Sequence, residues 1–132
     1  MTTRGLFRLF FLGEAIYDAL LGLSFFFFYP VIYGYCAIAL PNHPGYVQLP
    51  ALWLAIMGVA DYFVAQDLVH NRDIVKIRIL MKLAFSLLCF YHYFFGSLPG
   101  VWLFIAVANV VFLVPQFIFL RLVPTWETTP AR

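Results

Sequence analysis

The chain has 132 residues, 64% of them hydrophobic, 20% aromatic and only 11% charged, with a net charge of +2. Soluble domains average roughly 25% charged residues, and a soluble core this small has no room for 16 Phe and eight Tyr, because small domains keep much of their surface exposed. A soluble globular protein is therefore excluded and the lipid bilayer is the expected solvent; the sparse, scattered basic residues exclude nucleic acid as a partner.

Met1 to Arg4 is a short polar lead. The first predicted span, residues 6–29, is long enough to cross the bilayer, which takes ~20 helical residues, and Pro30 is expected to end it. It does not read as a cleaved signal peptide, because its apolar run is too long and Glu14 and Asp18 interrupt it. Its far end, Phe25-Phe26-Phe27-Phe28-Tyr29, continues into Tyr33 and Tyr35 as an aromatic belt at headgroup level. Residues 31–50 form the longest connection. It carries no Lys, Arg, Asp or Glu, its turns are marked by Pro41, Asn42, Pro44 and Gly45, and its apolar half (Val31 to Leu40) is expected to lie in the interface or form a short helix.

The second span, residues 50–69, opens on Pro50, which suits a first helical turn, and contains Asp61, Gln66 and Asp67. His70-Asn71-Arg72-Asp73 is the polar turn after it, with Asn71 expected to cap the next helix. The third span, residues 74–95, has Lys76 and Arg78 at its start, Lys82 one turn deeper and His92 near its far end. Gly96-Ser97-Leu98-Pro99-Gly100 leads to the fourth span, residues 101–122, with Asn109, Pro115, Gln116 and Arg121, and a short tail begins at Pro124.

The predicted fold is all-α: an integral-membrane four-helix bundle of two hairpins in a single transmembrane domain. An even number of spans puts both termini on one side. Arg4, Arg8, Arg72, Lys76, Arg78, Arg121 and Arg132 flank the termini and the second connection, whereas the first and third connections have no Lys or Arg. By the positive-inside rule both termini are cytoplasmic (N-in/C-in), in a multi-pass protein of the cell inner (cytoplasmic) membrane. An echo, L-P-x-x-W-L-x-I, opens both span two (Leu49 to Ile56) and span four (Leu98 to Ile105). It fits a duplicated hairpin, and it fits equally a local preference for Pro at helix starts and Trp at interfaces.

The polar residues inside the spans are the candidate site. Glu14 and Asp18 are one helical turn apart and share a face. Counted from the cytoplasmic ends, Glu14, Asp61 and Lys82 lie at a similar depth, some eight or nine residues in at ~1.5 Å per residue, and Asp18 and Asn109 lie nearer the midplane. Three carboxylates and one ammonium do not balance. The expected arrangement pairs Lys82 with Glu14 or Asp61 and hydrogen-bonds another carboxyl to Asn109, Tyr17 or Tyr62, so that at least one of Glu14, Asp18 and Asp61 is neutral at pH 7. Such a cluster serves either as a clasp that fixes helix register or as a ligand or proton site. Small residues (Gly13, Ala15, Ala19, Gly22, Gly58, Ala65, Ala106, Ala108) are expected to let helices approach closely.

Cys36 and Cys89 make no metal spacing and read as small hydrophobes. His92, between Tyr91 and Tyr93, reads as an interfacial histidine, since a bis-His haem would need a second intramembrane His from another subunit. Asp67, His70, Arg72 and Asp73 read as solvated turn charges. No phosphate-binding glycine loop, G-x-S-x-G or H-E-x-x-H is present, no metal site is predicted, and no cofactor is indicated.

Four stretches carry a family likeness: G-E-A-I-Y-D-A-L-L-G-L in span one, the turn D-L-V-H-N-R-D-I-V-K, L-M-K-L in span three and G-x-L-P before span four. With them the chain resembles small four-span bacterial inner-membrane proteins, broadly DoxX-like. The resemblance implies membrane redox chemistry and a quinone-type or other lipophilic ligand; Asn109 stands where an Asp is common in that group. The leading expectation is a protein that works by association. It would be an accessory subunit of a redox or photosynthetic membrane complex or a binder of a lipophilic molecule, with membrane-protein partners or further copies of itself. A membrane isomerase or cyclase using Glu14, Asp18 and Asp61 as acid and base is the alternative, and an oligomeric proton-coupled transporter is a third.

Overall fold

The computed structural model describes residues 2–127, and among them every regular element is a helix. The four are α1 (Thr3–Tyr35), α2 (Gly45–Gln66), α3 (Arg72–Phe95) and α4 (Gly100–Glu127). The fold is thus all-α, as composition and the length of the apolar runs predict; Arg132 and the end of the tail lie outside the described residues. Three helices, α1, α2 and α4, are long and apolar enough to cross a membrane. α3 carries Arg72, Asp73, Lys76, Arg78 and Lys82 in its first half and is not among them. Large apolar side chains stay exposed throughout, Phe104 at 75% and Leu80 at 67% among them, as lipid rather than water would favour.

Two compact units make up the chain, Met1–Gln66 and Asp67–Arg132. α1 packs on α2 in the first and α3 on α4 in the second. The first hairpin is closed by small residues arranged alike on both helices, Ala15, Ala19 and Gly22 on α1 and Ala51, Ala55 and Gly58 on α2. A Cβ at Gly22 would stand 2.6 Å from the Ala51 carbonyl oxygen and 2.6 Å from the Ala55 nitrogen; one at Gly58 would stand 2.7 Å from the Ala15 carbonyl oxygen and 2.8 Å from the Ala19 nitrogen. Backbone therefore meets backbone at two reciprocal points of an antiparallel pair. Gly13, expected to share this role, has open space around it. Arg8 Nη2 donates to Gln66 Oε1 (3.4 Å) and ties the start of α1 to the end of α2.

α3 ends at Phe95 as expected, whereas several other helix ends differ from expectation for local chemical reasons. Pro30 lies inside α1, which continues to Tyr35. Proline cannot donate to the carbonyl four residues back, and that carbonyl, on Phe26, instead accepts from Gln48 Nε2 of α2 at 3.4 Å. α1 ends in a Schellman turn: Ile38 N–H donates to the Tyr33 carbonyl (2.9 Å), Ala37 N–H to the Gly34 carbonyl (3.2 Å), and Ala37 takes φ 53°. α2 begins ahead of Pro50, where His43 Nδ1 accepts from the Gly45 N–H at 3.0 Å. It ends at Gln66 because the Asp67 carboxylate takes the Val69 and His70 N–H groups (3.2 and 3.1 Å) in competition with the helix. Asn71 stands at the N-cap position of α3 with no side-chain capping bond. α4 runs through Pro115 and Pro124 rather than stopping at residue 122.

Candidate functional site

The carboxylates are buried as the pattern predicts. Glu14 and Asp18 are each 1% exposed on one face of α1, and Asp61 is fully buried on α2. Phe7 and Phe11, two turns and one turn before Glu14, share that inward face, so the acids sit in an otherwise apolar stripe. Gly58 meets the α1 backbone at Ala15 and Ala19; Glu14 adjoins the first, Asp18 adjoins the second, and Asp61 lies one turn beyond Gly58. The three carboxyls therefore belong to neighbouring turns of one hairpin. Tyr17 is half-buried beside them in sequence, whereas Tyr62 is 47% exposed.

Tyr62 lines an exposed groove of the first hairpin, with Leu12, Ala15, Ile16, Ala19, Gly58 and Val59, and a volume of about 260 Å³. Its floor is the small-residue contact that brings the backbones together. Along the chain each buried acid is the neighbour of a groove residue: Glu14 of Ala15, Asp18 of Ala19, Asp61 of Tyr62. The acids themselves do not line it.

Lys82 and Asn109 belong to the second hairpin. Lys82 is buried, and its ammonium lies 5.3 Å from the centre of the Phe112 ring of α4, a cation–π contact. Asn109, one turn from Phe112 on α4, is half-buried. Three further polar residues of this hairpin were not expected inside. Arg78 is 2% exposed, although its position at the start of the span suggests a cytoplasmic flank; Ser86 is 2% exposed and donates to the Ala106 carbonyl at 3.1 Å; Gln116 of α4 is fully buried. Their signal in the sequence is the spacing Arg78, Lys82, Ser86, three successive turns on one face of α3. Two buried side-chain oxygens among the described residues accept no hydrogen bond, Asp61 Oδ2 and Gln116 Oε1, although both side chains make other contacts.

Outside the spans the charges are local. Asp67 Oδ2 lies 2.8 Å from His70 Nδ1, and Asp73 Oδ1 accepts from Lys76 Nζ at 2.6 Å, all in exposed positions. The His70 backbone N–H, then its ring, hold the Asp67 carboxyl below its ordinary range; Lys76 does the same for Asp73. His92 is exposed, its ring edge-on to Tyr91 at 5.2 Å. Cys89 is buried and Cys36 half-buried.

No family model, no curated protein and no solved structure matches this chain.

Proposed function

We propose that this is a small multi-pass protein of the cytoplasmic membrane, with both termini inside, that works by binding a lipophilic molecule of quinone type at the groove of its first hairpin. The observation that carries the reading is the groove itself: an apolar trough about 260 Å³ in volume, with one phenol at its wall and a buried acid next in sequence to each of Ala15, Ala19 and Tyr62. Sites that engulf a ligand run to about 300–1,000 Å³, so this one suits a single ring or chain segment of a molecule otherwise dissolved in lipid. The likeness to DoxX-like proteins points to the same ligand class. The orientation rests on Arg4, Arg8, Arg72, Lys76 and Arg121, set against connections 36–44 and 96–99 that have no Lys or Arg.

Service as an accessory subunit is compatible with this role, since such a subunit can carry the ligand for a larger redox assembly. Acid–base turnover by Glu14, Asp18 and Asp61 stands second, because none of the three lines the groove. Native mass spectrometry from mild detergent tests the reading. The expected result is one lipophilic small molecule retained per chain and lost in an Ala19→Leu variant that fills the groove. Retention of bulk phospholipid alone by the wild type would overturn it.

A further inference from the structure

The groove of the first hairpin has two ends of different chemistry. The residues that line it are Leu, Ile, Val, Ala and Gly apart from Tyr62, which alone carries a hydrogen-bonding side chain. Tyr62 lies one turn before the end of α2 at Gln66, so its end of the groove is within ~6 Å of the helix terminus. One turn further along each wall, Arg8 of α1 and Gln66 of α2 meet in the 3.4 Å hydrogen bond that joins the two helices. Both are exposed, and with Arg4 and Asp67 just beyond them this is the charged end of the hairpin. The other end of the groove, at Ala19, lies ~10 Å further from that end than Leu12 does and offers only aliphatic surface.

The Tyr62 ring leans on Phe63, with centroids 6.3 Å apart. Its hydroxyl makes no hydrogen bond among the described residues. A hydroxyl at a hydrocarbon boundary is costly to leave unpaired, and in a mostly apolar site a few polar groups fix the orientation of a ligand. We propose that Tyr62 determines both the direction and the specificity of binding: its O–H donates to a ring carbonyl oxygen of the quinone-type ligand. The ring then lies at the charged end of the groove and the tail passes Ala19 and Gly58 toward the bilayer centre. The assignment rests on the proposed binding function and adds to it a donor and a direction. A molecule of similar shape without a carbonyl forfeits the hydrogen bond and leaves the phenol unpaired, which is how such a site discriminates.

Two probes with the same tail test this, decyl-benzoquinone and decylbenzene. Affinities are read on the full chain in lipid nanodiscs, from saturation with tritiated decyl-benzoquinone and its displacement by decylbenzene. The wild type should hold the quinone more tightly than decylbenzene. Tyr62→Phe, which keeps a ring on the groove wall, should weaken the quinone by roughly 2- to 12-fold, the worth of one hydrogen bond, and leave decylbenzene unchanged. Equal effects on both probes, or none on either, would overturn the role of Tyr62 while binding itself stood. Failure of the wild type to hold the quinone would remove the binding reading and the inference together. Photo-crosslinking of the wild type reads the direction without any variant. A diazirine on the quinone ring should label Leu12 or Tyr62, and one at the end of the tail should label Ala19 or Gly58. The reverse order, or the same residues from both tags, would overturn the inference.

Discussion

Replacing Gly22 by alanine tests the packing that positions the candidate site. The new Cβ would lie 2.6 Å from both the Ala51 oxygen and the Ala55 nitrogen, and 3.0 Å from the Ala55 Cα. Ordinary contacts of carbon lie at about 3.5–4.0 Å, and all three neighbours are backbone atoms that no rotamer change can move. The helices must therefore part by roughly 1 Å, and overpacking of this kind costs ~1–3 kcal/mol. Alanine's better helix propensity returns up to ~1 kcal/mol, so the expected net loss is roughly 1–2 kcal/mol. Gly58→Ala should behave alike, with the pair less than additive because both act on one interface. Gly13→Ala is the control: its Cβ meets nothing within 4 Å, so it should be neutral or stabilising. Reversible unfolding by SDS in mixed micelles, followed by far-UV circular dichroism, reads all four variants. The reasoning is refuted if Gly22→Ala and Gly13→Ala agree within about 0.5 kcal/mol.

Three more expectations rest on single contacts. Gln48→Leu removes the donor to the Phe26 carbonyl and should cost ~0.6–1.7 kcal/mol, the range for interhelical hydrogen bonds in membranes; in a Pro30→Ala background, where the backbone N–H is restored, the same change should cost less. Ala37→Gly relieves a left-handed alanine (~1–2 kcal/mol) against a smaller loss of unfolded-state restriction, for a net gain of about 0.5–1 kcal/mol in the same assay. The Asp67 carboxyl should titrate below its ordinary value by NMR. With the folded value depressed, its stabilising contribution is present above the ordinary value and is lost as pH falls through the folded one. His70→Ala should raise the Asp67 midpoint only in part, because the leading cause is the residue-70 backbone N–H, which remains.

Composition and apolar run length were enough to predict four helices, because lipid admits few other spanning structures. The burial of Glu14, Asp18, Asp61 and Lys82 was likewise legible, since an ionisable group in an apolar helix turns inward. The ends of α3 and the start of α4 were legible too, from Gly96 to Gly100, whereas the end of α1, the start of α2 and the end of α4 were not. Pro30 reads as a stop only while its lost hydrogen bond has no substitute, and the substitute, Gln48, comes from the other helix. Arg78 reads as a flanking charge because its helix starts nearby, yet its spacing to Lys82 and Ser86 puts it on the buried stripe. Gln116 reads as an ordinary polar residue of a span, although it is fully buried. The close approach at Gly22 and Gly58 depends on Ala51 and Ala55 facing them, and pairing across a hairpin is not contained in either helix alone.

The binding claim is tested most directly by photo-crosslinking. A diazirine-tagged quinone added to the full-length protein in native-like membranes should label residues of the groove, Leu12 to Ala19 and Gly58 to Tyr62, and untagged quinone should compete the label away. Labelling that is spread over the lipid-facing surface and insensitive to competitor would contradict the account.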